Sequence, residues 1–113
     1  MSPFNYFDEY PSAVTVCNEH AQIVYMNQKA AATFEKWGGK ALIGQSLYDC
    51  HNPKSVAKIK EILATGKPNT YTIEKNGLKK LIHQSPWFHG GKLAGLIEIS
   101  IELPAEMPHF IRS

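Results

Sequence analysis

The sequence predicts an α+β domain, one antiparallel sheet covered on one face by helices. Three observations carry that reading. Two β-branched runs, residues 13–17 and 22–26, flank the polar turn Asn18-Glu19-His20-Ala21 and form an opening hairpin. Two helix-prone stretches follow, over residues 28–37 and 53–65. Three strand-like runs joined by short turns then close the chain, over residues 70–74, 81–85 and 93–101.

Taken in order, residues 1–11 are a polar and aromatic lead-in with prolines. After the hairpin, Asn27 can cap a helix by accepting an unpaired amide of its first turn. Residues 28–37 are Ala-rich, and Gly38-Gly39 stops them. Leu42-Ile43-Gly44 is a short apolar link, and residues 46–49 read as a single helical turn. The second helix has an Asn52 cap, Pro53 at its first position and Gly66 just past its end. Val56, Ile59, Ile62 and Leu63 mark one face of it, while Lys54, Lys58, Lys60 and Glu61 take the other. Asn76-Gly77 is a hairpin signal between the next two strands, with Pro86-Trp87-Phe88 placed after the second of them. A turn over residues 89–92 leads into the last strand, where Ile97, Ile99 and Ile101 alternate with Glu98 and Ser100.

The 113 residues suffice for one core, and 43% hydrophobic with 19% charged residues is an ordinary globular balance. A net charge of +2, with scattered lysines, does not support nucleic-acid binding. Two cysteines make no disulfide framework, and no zinc-ligand spacing occurs. Neither a signal peptide nor a membrane-spanning apolar run is visible, so a cytoplasmic setting without membrane contact is expected.

The landmarks "IVYMNQKAAATF" (23–34), "LIGQSLYD" (42–49), "TGKPNTYTIEKNG" (65–77) and "GKLAGLIEISIEL" (91–103), in this order, resemble the PAS domain family of sensory modules. The box Asp49-Cys50-His51-Asn52-Pro53 is similar to that of a bacterial subgroup with an Asp-Cys-His-x-Pro motif. The resemblance implies a PAS domain over residues 12–103, an N-terminal flank at 1–11 and a C-terminal tail at 104–113. It also implies a five-stranded sheet in the order 2-1-5-4-3, a small-ligand cavity between helices and sheet, and homodimerisation through the flanks or the outer sheet face. A downstream signalling protein would be the partner. No kinase, cyclase or DNA-binding segment is visible, so the chain reads as a free-standing module or a piece of a larger one.

The pair Cys50-His51 admits several readings. As a plain helix start, the thiol packs as a small apolar group, the imidazole bonds nearby backbone and Asn52 caps. As a haem site, His51 is a candidate axial ligand, although the family's haem histidine lies within the helix, where Ser55 or Val56 stands here; His83 is the other candidate. A covalent chromophore on Cys50 is opposed by Met26 and Ala30, which stand where the pigment-carrying branch has a Tyr and a Glu. A flavin is opposed by the lack of an Asn-Cys-Arg box. A thiol redox sensor is the remaining reading, since a helix N-terminus favours a thiolate. A catalytic Cys-His dyad lacks an orienting third group.

The expected function is a non-enzymatic sensor whose ligand lies between the long helix and the sheet, ordering residues 38–55 and shifting the dimer contact. The cofactor is undetermined, haem being one candidate, and a ligand-free interaction scaffold is the alternative. Tyr71, His83 and Glu98 are the polar groups expected to reach the cavity, beside Cys50, His51, Met26, Phe34 and Ile59. Glu98 has two placements open to it, inside with a partner such as His83, or on the dimer surface. Trp37 and Trp87 are expected in the core or an interface.

Overall fold

The computed structural model describes residues 5–113, apart from the side chain of Cys50. Five strands form one antiparallel sheet: β1 Ala13–Asn18, β2 Ile23–Met26, β3 Asn69–Lys75, β4 Leu78–His89 and β5 Lys92–Glu102. Their order is β2-β1-β5-β4-β3. The helices α1 Gln28–Thr33 and α2 Pro53–Thr65 come between β2 and β3, with 3₁₀ turns at Glu35–Trp37, Gly39–Leu42 and Leu47–Cys50.

Local chemistry explains the boundaries. Asn52 accepts from the Ser55 amide, Pro53 opens α2, and Gly66 closes it in the left-handed conformation at φ 75°. The Ala-rich stretch expected to be helical over 28–37 is α-helical only to Thr33. There the Thr33 hydroxyl turns back to the Lys29 carbonyl, and both Gly39 and Trp37 amides converge on the Phe34 carbonyl, winding the chain into 3₁₀ geometry. β4 runs on through Pro86-Trp87-Phe88 as far as His89, accommodated by a register shift between Trp87 and Phe88.

Register decides which side chains meet. Thr15 pairs with Glu98, Gln84 with Glu98, and Ile82 with both Ser100 and Tyr71, so these residues share the face toward the helices. Val16 pairs with Ile97, Val14 and His83 with Ile99, and Leu81 with Ile101, forming the opposite, outer face. The core beneath the helices joins Cys17, Ile23, Met26 and Leu96 from the sheet to Ala30, Leu42, Leu47, Ile59 and Ile62. Trp37 is 59% exposed and belongs to no core.

Two close approaches hold the sheet centre. The Trp87 indole N–H donates to the Cys17 carbonyl at 3.0 Å, reaching from β4 to β1 over β5. It can do so because Gly95 lies between them; a Cβ there would stand 1.9 Å from the Cys17 oxygen and 2.7 Å from the indole nitrogen. Gly95→Ala therefore forces backbone apart, and a loss of about 2 kcal/mol or more in urea unfolding is expected. An unchanged midpoint would refute the packing argument.

The lead-in is tied down as well. The Tyr25 hydroxyl donates to Asp8 Oδ1 at 2.6 Å, and the Gln28 amide donates to the Asp8 carbonyl. Desolvation first, and the Asp8 bond second, push the Tyr25 phenol from 10 to about 12. A phenol with a raised folded pKa stabilises docking fully below pH 10 and loses that contribution as pH rises toward about 12. Phenolate absorbance, with Tyr25→Phe as the difference control, should show one tyrosine ionising near the top of that window; ionisation of Tyr25 at its ordinary value would contradict the docking.

Candidate functional site

Where the sheet's inner face passes beyond the packed core, a cavity of about 200 Å³ opens. Its floor is Ala13 and Thr15 of β1, Glu98 and Ser100 of β5, Lys80 and Ile82 of β4, and Tyr71 and Ile73 of β3. Its roof is Thr33 and Phe34, at the end of α1, together with His51. The long helix α2 contributes nothing to this wall, because Ile59 and Ile62 are spent in the closed core. A second space of about 160 Å³ does lie between α2 and the sheet, with Lys54, Ser55 and Lys58 facing Asn69, Tyr71 and Gln84; the cavity under Phe34 and His51 is beside it.

The walls are mainly apolar, and a polar chain reaches them at Glu98. Asn69 Nδ2 donates to Gln84 Oε1 at 3.0 Å, and Gln84 Nε2 donates to Glu98 Oε1 at 2.8 Å. Glu98 Oε1 in turn lies 4.0 Å from His51 Nε2, both side chains being only 12% exposed. The other ring nitrogen, Nδ1, is 2.8 Å from the Leu47 carbonyl. A carbonyl can only accept, so Nδ1 carries the proton and the ring is held with Nε2 toward the acid.

That chain threads β3, β4, β5 and the 3₁₀ turn before α2. Its charge is felt around it. Burial first, and the Glu98 charge second, push the Tyr71 phenol up. Burial raises the Cys17 thiol too, partly offset by its bond with the Leu96 backbone, with Glu98 adding to the rise. Both groups therefore stay protonated through neutral pH.

His51 has a second neighbour space. With Tyr48, Pro53, Val56, Ala57 and Lys60 it lines a shallow groove on the molecular surface. Its ring thus stands between that groove and the inner cavity, packed 6.5 Å from the Phe34 ring centre. Tyr48, whose phenol is raised by burial and by Cys17, carries the Lys60 ammonium over its ring.

The anticipated site residues are distributed unevenly. His51, Phe34, Tyr71 and Glu98 all line the cavity. Met26 and Ile59 do not; they are 1% and 0% exposed in the packed core. His83 points to the outer face and bonds the Thr70 hydroxyl at 2.8 Å, so it is not the partner of Glu98. The Cys50 thiol lies outside the described residues. Gln84 and Asn69 were not anticipated, although the alternation Ile82-His83-Gln84 puts Gln84 on the same face as Ile82 once a register is known. Among the described residues no cluster of His, Cys, Asp and Glu could hold a metal ion, and no helix is long and apolar enough to cross a membrane.

Gln84 is 2% exposed and carries both inner bonds of the chain. Gln84→Ala leaves Asn69 and Glu98 without those partners, at an expected loss of about 1–3 kcal/mol. Thermal unfolding measures it, and an unperturbed variant would remove the chain as a structural element.

A family model described as PAS fold matches residues 7–105. Solved structures are similar at low identity. The PAS domain of histidine kinase ThkA matches at 17% identity with a TM-score of 0.67, covering 80% of this chain and 97% of that one. The PAS domain of Bordetella pertussis BvgS matches at 18% and 0.64, covering 87% and 81%. The Vibrio cholerae Aer2 receptor, described as a dual PAS-heme oxygen sensor, matches at 12% and 0.65, covering 82% and 95%. No curated protein matches the chain significantly.

Proposed function

The chain belongs to the PAS fold family, and from that premise we propose that it is a non-enzymatic sensory module of a bacterial signalling system, binding a compact ligand in the cavity beneath Phe34 and His51. One observation carries this reading. A carboxylate and an imidazole, each 12% exposed, line a mainly apolar space of about 200 Å³ instead of being packed over by side chains. Space of that size suits a single-ring molecule, since an engineered apolar cavity of about 150 Å³ is known to take benzene. The similar structures named as a histidine kinase domain and an oxygen-sensing receptor agree with a sensory role.

Haem and flavin fit less well than a compact ligand. Drug-sized molecules already occupy about 300–1,000 Å³, and both cofactors are larger than the space available. His51, the histidine a haem would need, is held with Nε2 toward Glu98 by its Nδ1 bond to the Leu47 carbonyl. The subgroup marked by the Asp49–Pro53 box belongs to the same proposal, because that box supplies His51.

In this reading residues 12–103 are the sensing unit, 1–11 and 104–113 are flanks, and the output passes to a cytoplasmic signalling partner. The outer sheet face supports pairing with a second copy. Val16, Leu81, Ile97 and Ile99 are part-exposed there and Ile101 is 37% exposed, an apolar patch bordered by His83 and Ser85. A ligand acts by favouring one arrangement of the roof over another, to the extent of its differential affinity.

Native mass spectrometry of freshly purified protein tests both halves. A retained small molecule and a dimer are expected, with Ile99→Lys giving monomer that keeps the molecule. Protein without any bound molecule, and with nothing taken up from a cell extract, would replace this reading with a ligand-free scaffold.

A further inference from the structure

We propose that the space between α2 and β3 is an oxyanion-binding site, taking the carboxylate or phosphate head of a small molecule. It lies outside the cavity under Phe34 and His51, sharing only Tyr71 with its walls, and it stands whether or not that cavity is filled. Its volume is about 160 Å³, with Lys54, Ser55 and Lys58 on the helix side and Asn69, Tyr71 and Gln84 on the sheet side. Each of these side chains carries an N–H or O–H donor and two carry a positive charge, while among the described residues no carboxylate lines the space.

The buried donor is the strongest sign. Gln84 is 2% exposed and borders this space, not the inner cavity. Its Oε1 accepts from Asn69 and one N–H of Nε2 goes to Glu98; among the described residues the second N–H has no partner. A buried donor left unmet is costly, and an acceptor seated in this space would meet it. The helix breaks a local rule at the same place. Lys54 and Lys58 stand one turn apart on one face, where like charges repel, and the first turn of α2 holds no acid to complement its dipole. Two acids are near, and neither fills the role. Glu61 takes Lys58 at 3.1 Å from further along the helix, whereas Lys54 enters no ion pair among the described residues. Glu98 lines the inner cavity instead, bonded to the Gln84 amide and 4.0 Å from His51. An oxyanion between the lysines and the amides is therefore matched in charge and in donors from both sides, while a cation would meet two ammonium groups.

The test titrates the full chain with benzoate, phenyl phosphate and benzyl alcohol, following the side-chain amide resonances of Asn69 and Gln84. At least one of the two anions should bind with a Kd about tenfold or more below that of the neutral alcohol, the scale of one charge-assisted bond, and the tighter of them identifies the head as carboxylate or phosphate. Lys54→Gln removes a cation from a helix start, so it should fold at least as well as the parent; combined with Lys58→Gln it should abolish the preference for the anion. Anions that bind no better than the alcohol, a preference that survives both substitutions, or shifts confined to Ala13 and Ser100 in the inner cavity would each overturn the site. None of those results decides whether the inner cavity holds a ligand of its own, which the retained-molecule measurement reads separately.

Discussion

The buried amide of Asn27 is the joint on which the domain turns. Its Oδ1 accepts from the Val14 amide at 3.0 Å and from the Ala30 amide at 2.9 Å, while Nδ2 donates to the Ser12 carbonyl at 2.8 Å. One fully buried side chain therefore starts β1, caps α1 and fixes the lead-in. Each of those backbone groups would otherwise be left unpaired in the interior, where desolvation makes an unmet hydrogen bond costly. The direction in which α1 leaves the sheet, and with it the position of Phe34 over the cavity, follows from this joint.

The two sheet faces perform different physical tasks. On the inner face, apolar packing fills the space between β1, β2 and the helices, then gives way over β3, β4 and β5 to a polar chain and an open volume. On the outer face, Val16 of β1, Leu81 of β4 and Ile97, Ile99 and Ile101 of β5 present apolar side chains beside His83 and Ser85, with no helix over them among the described residues. Strand alternation produces both from the same residues' neighbours: Glu98 and Ser100 face in, Ile97, Ile99 and Ile101 face out.

Much of the architecture was legible because its signals are local. Asn52-Pro53 and Gly66 bound α2, Asn76-Gly77 sets the β3–β4 turn with positive φ at both residues, and the opening hairpin is where the β-branched runs put it. The strand order came through resemblance, since long-range pairing has no local mark. The site was harder to read. Without register, Glu98 had two faces open to it, and His83 seemed a fit partner; pairing with Ile99 puts His83 on the other side. Met26 and Ile59 look, in sequence, like any apolar residue near a cavity, and only the position of α1 shows that they are enclosed. The helical stretch ends early at Thr33 because the Trp37 and Gly39 amides turn to the Phe34 carbonyl, a bonding pattern that Ala-rich composition does not mark.

The indole bond from Trp87 across Gly95 to Cys17 has a positional consequence. It ties β4 to β1 across β5 at one end of the sheet. Glu98 lies three residues along β5 from that tie, with Ile97 and Ile99 on either side of it and on the reverse of the sheet. The carboxylate and the apolar side chains behind it thus sit on one short run of β5, tied to its neighbours at the one position in the strand that has no side chain.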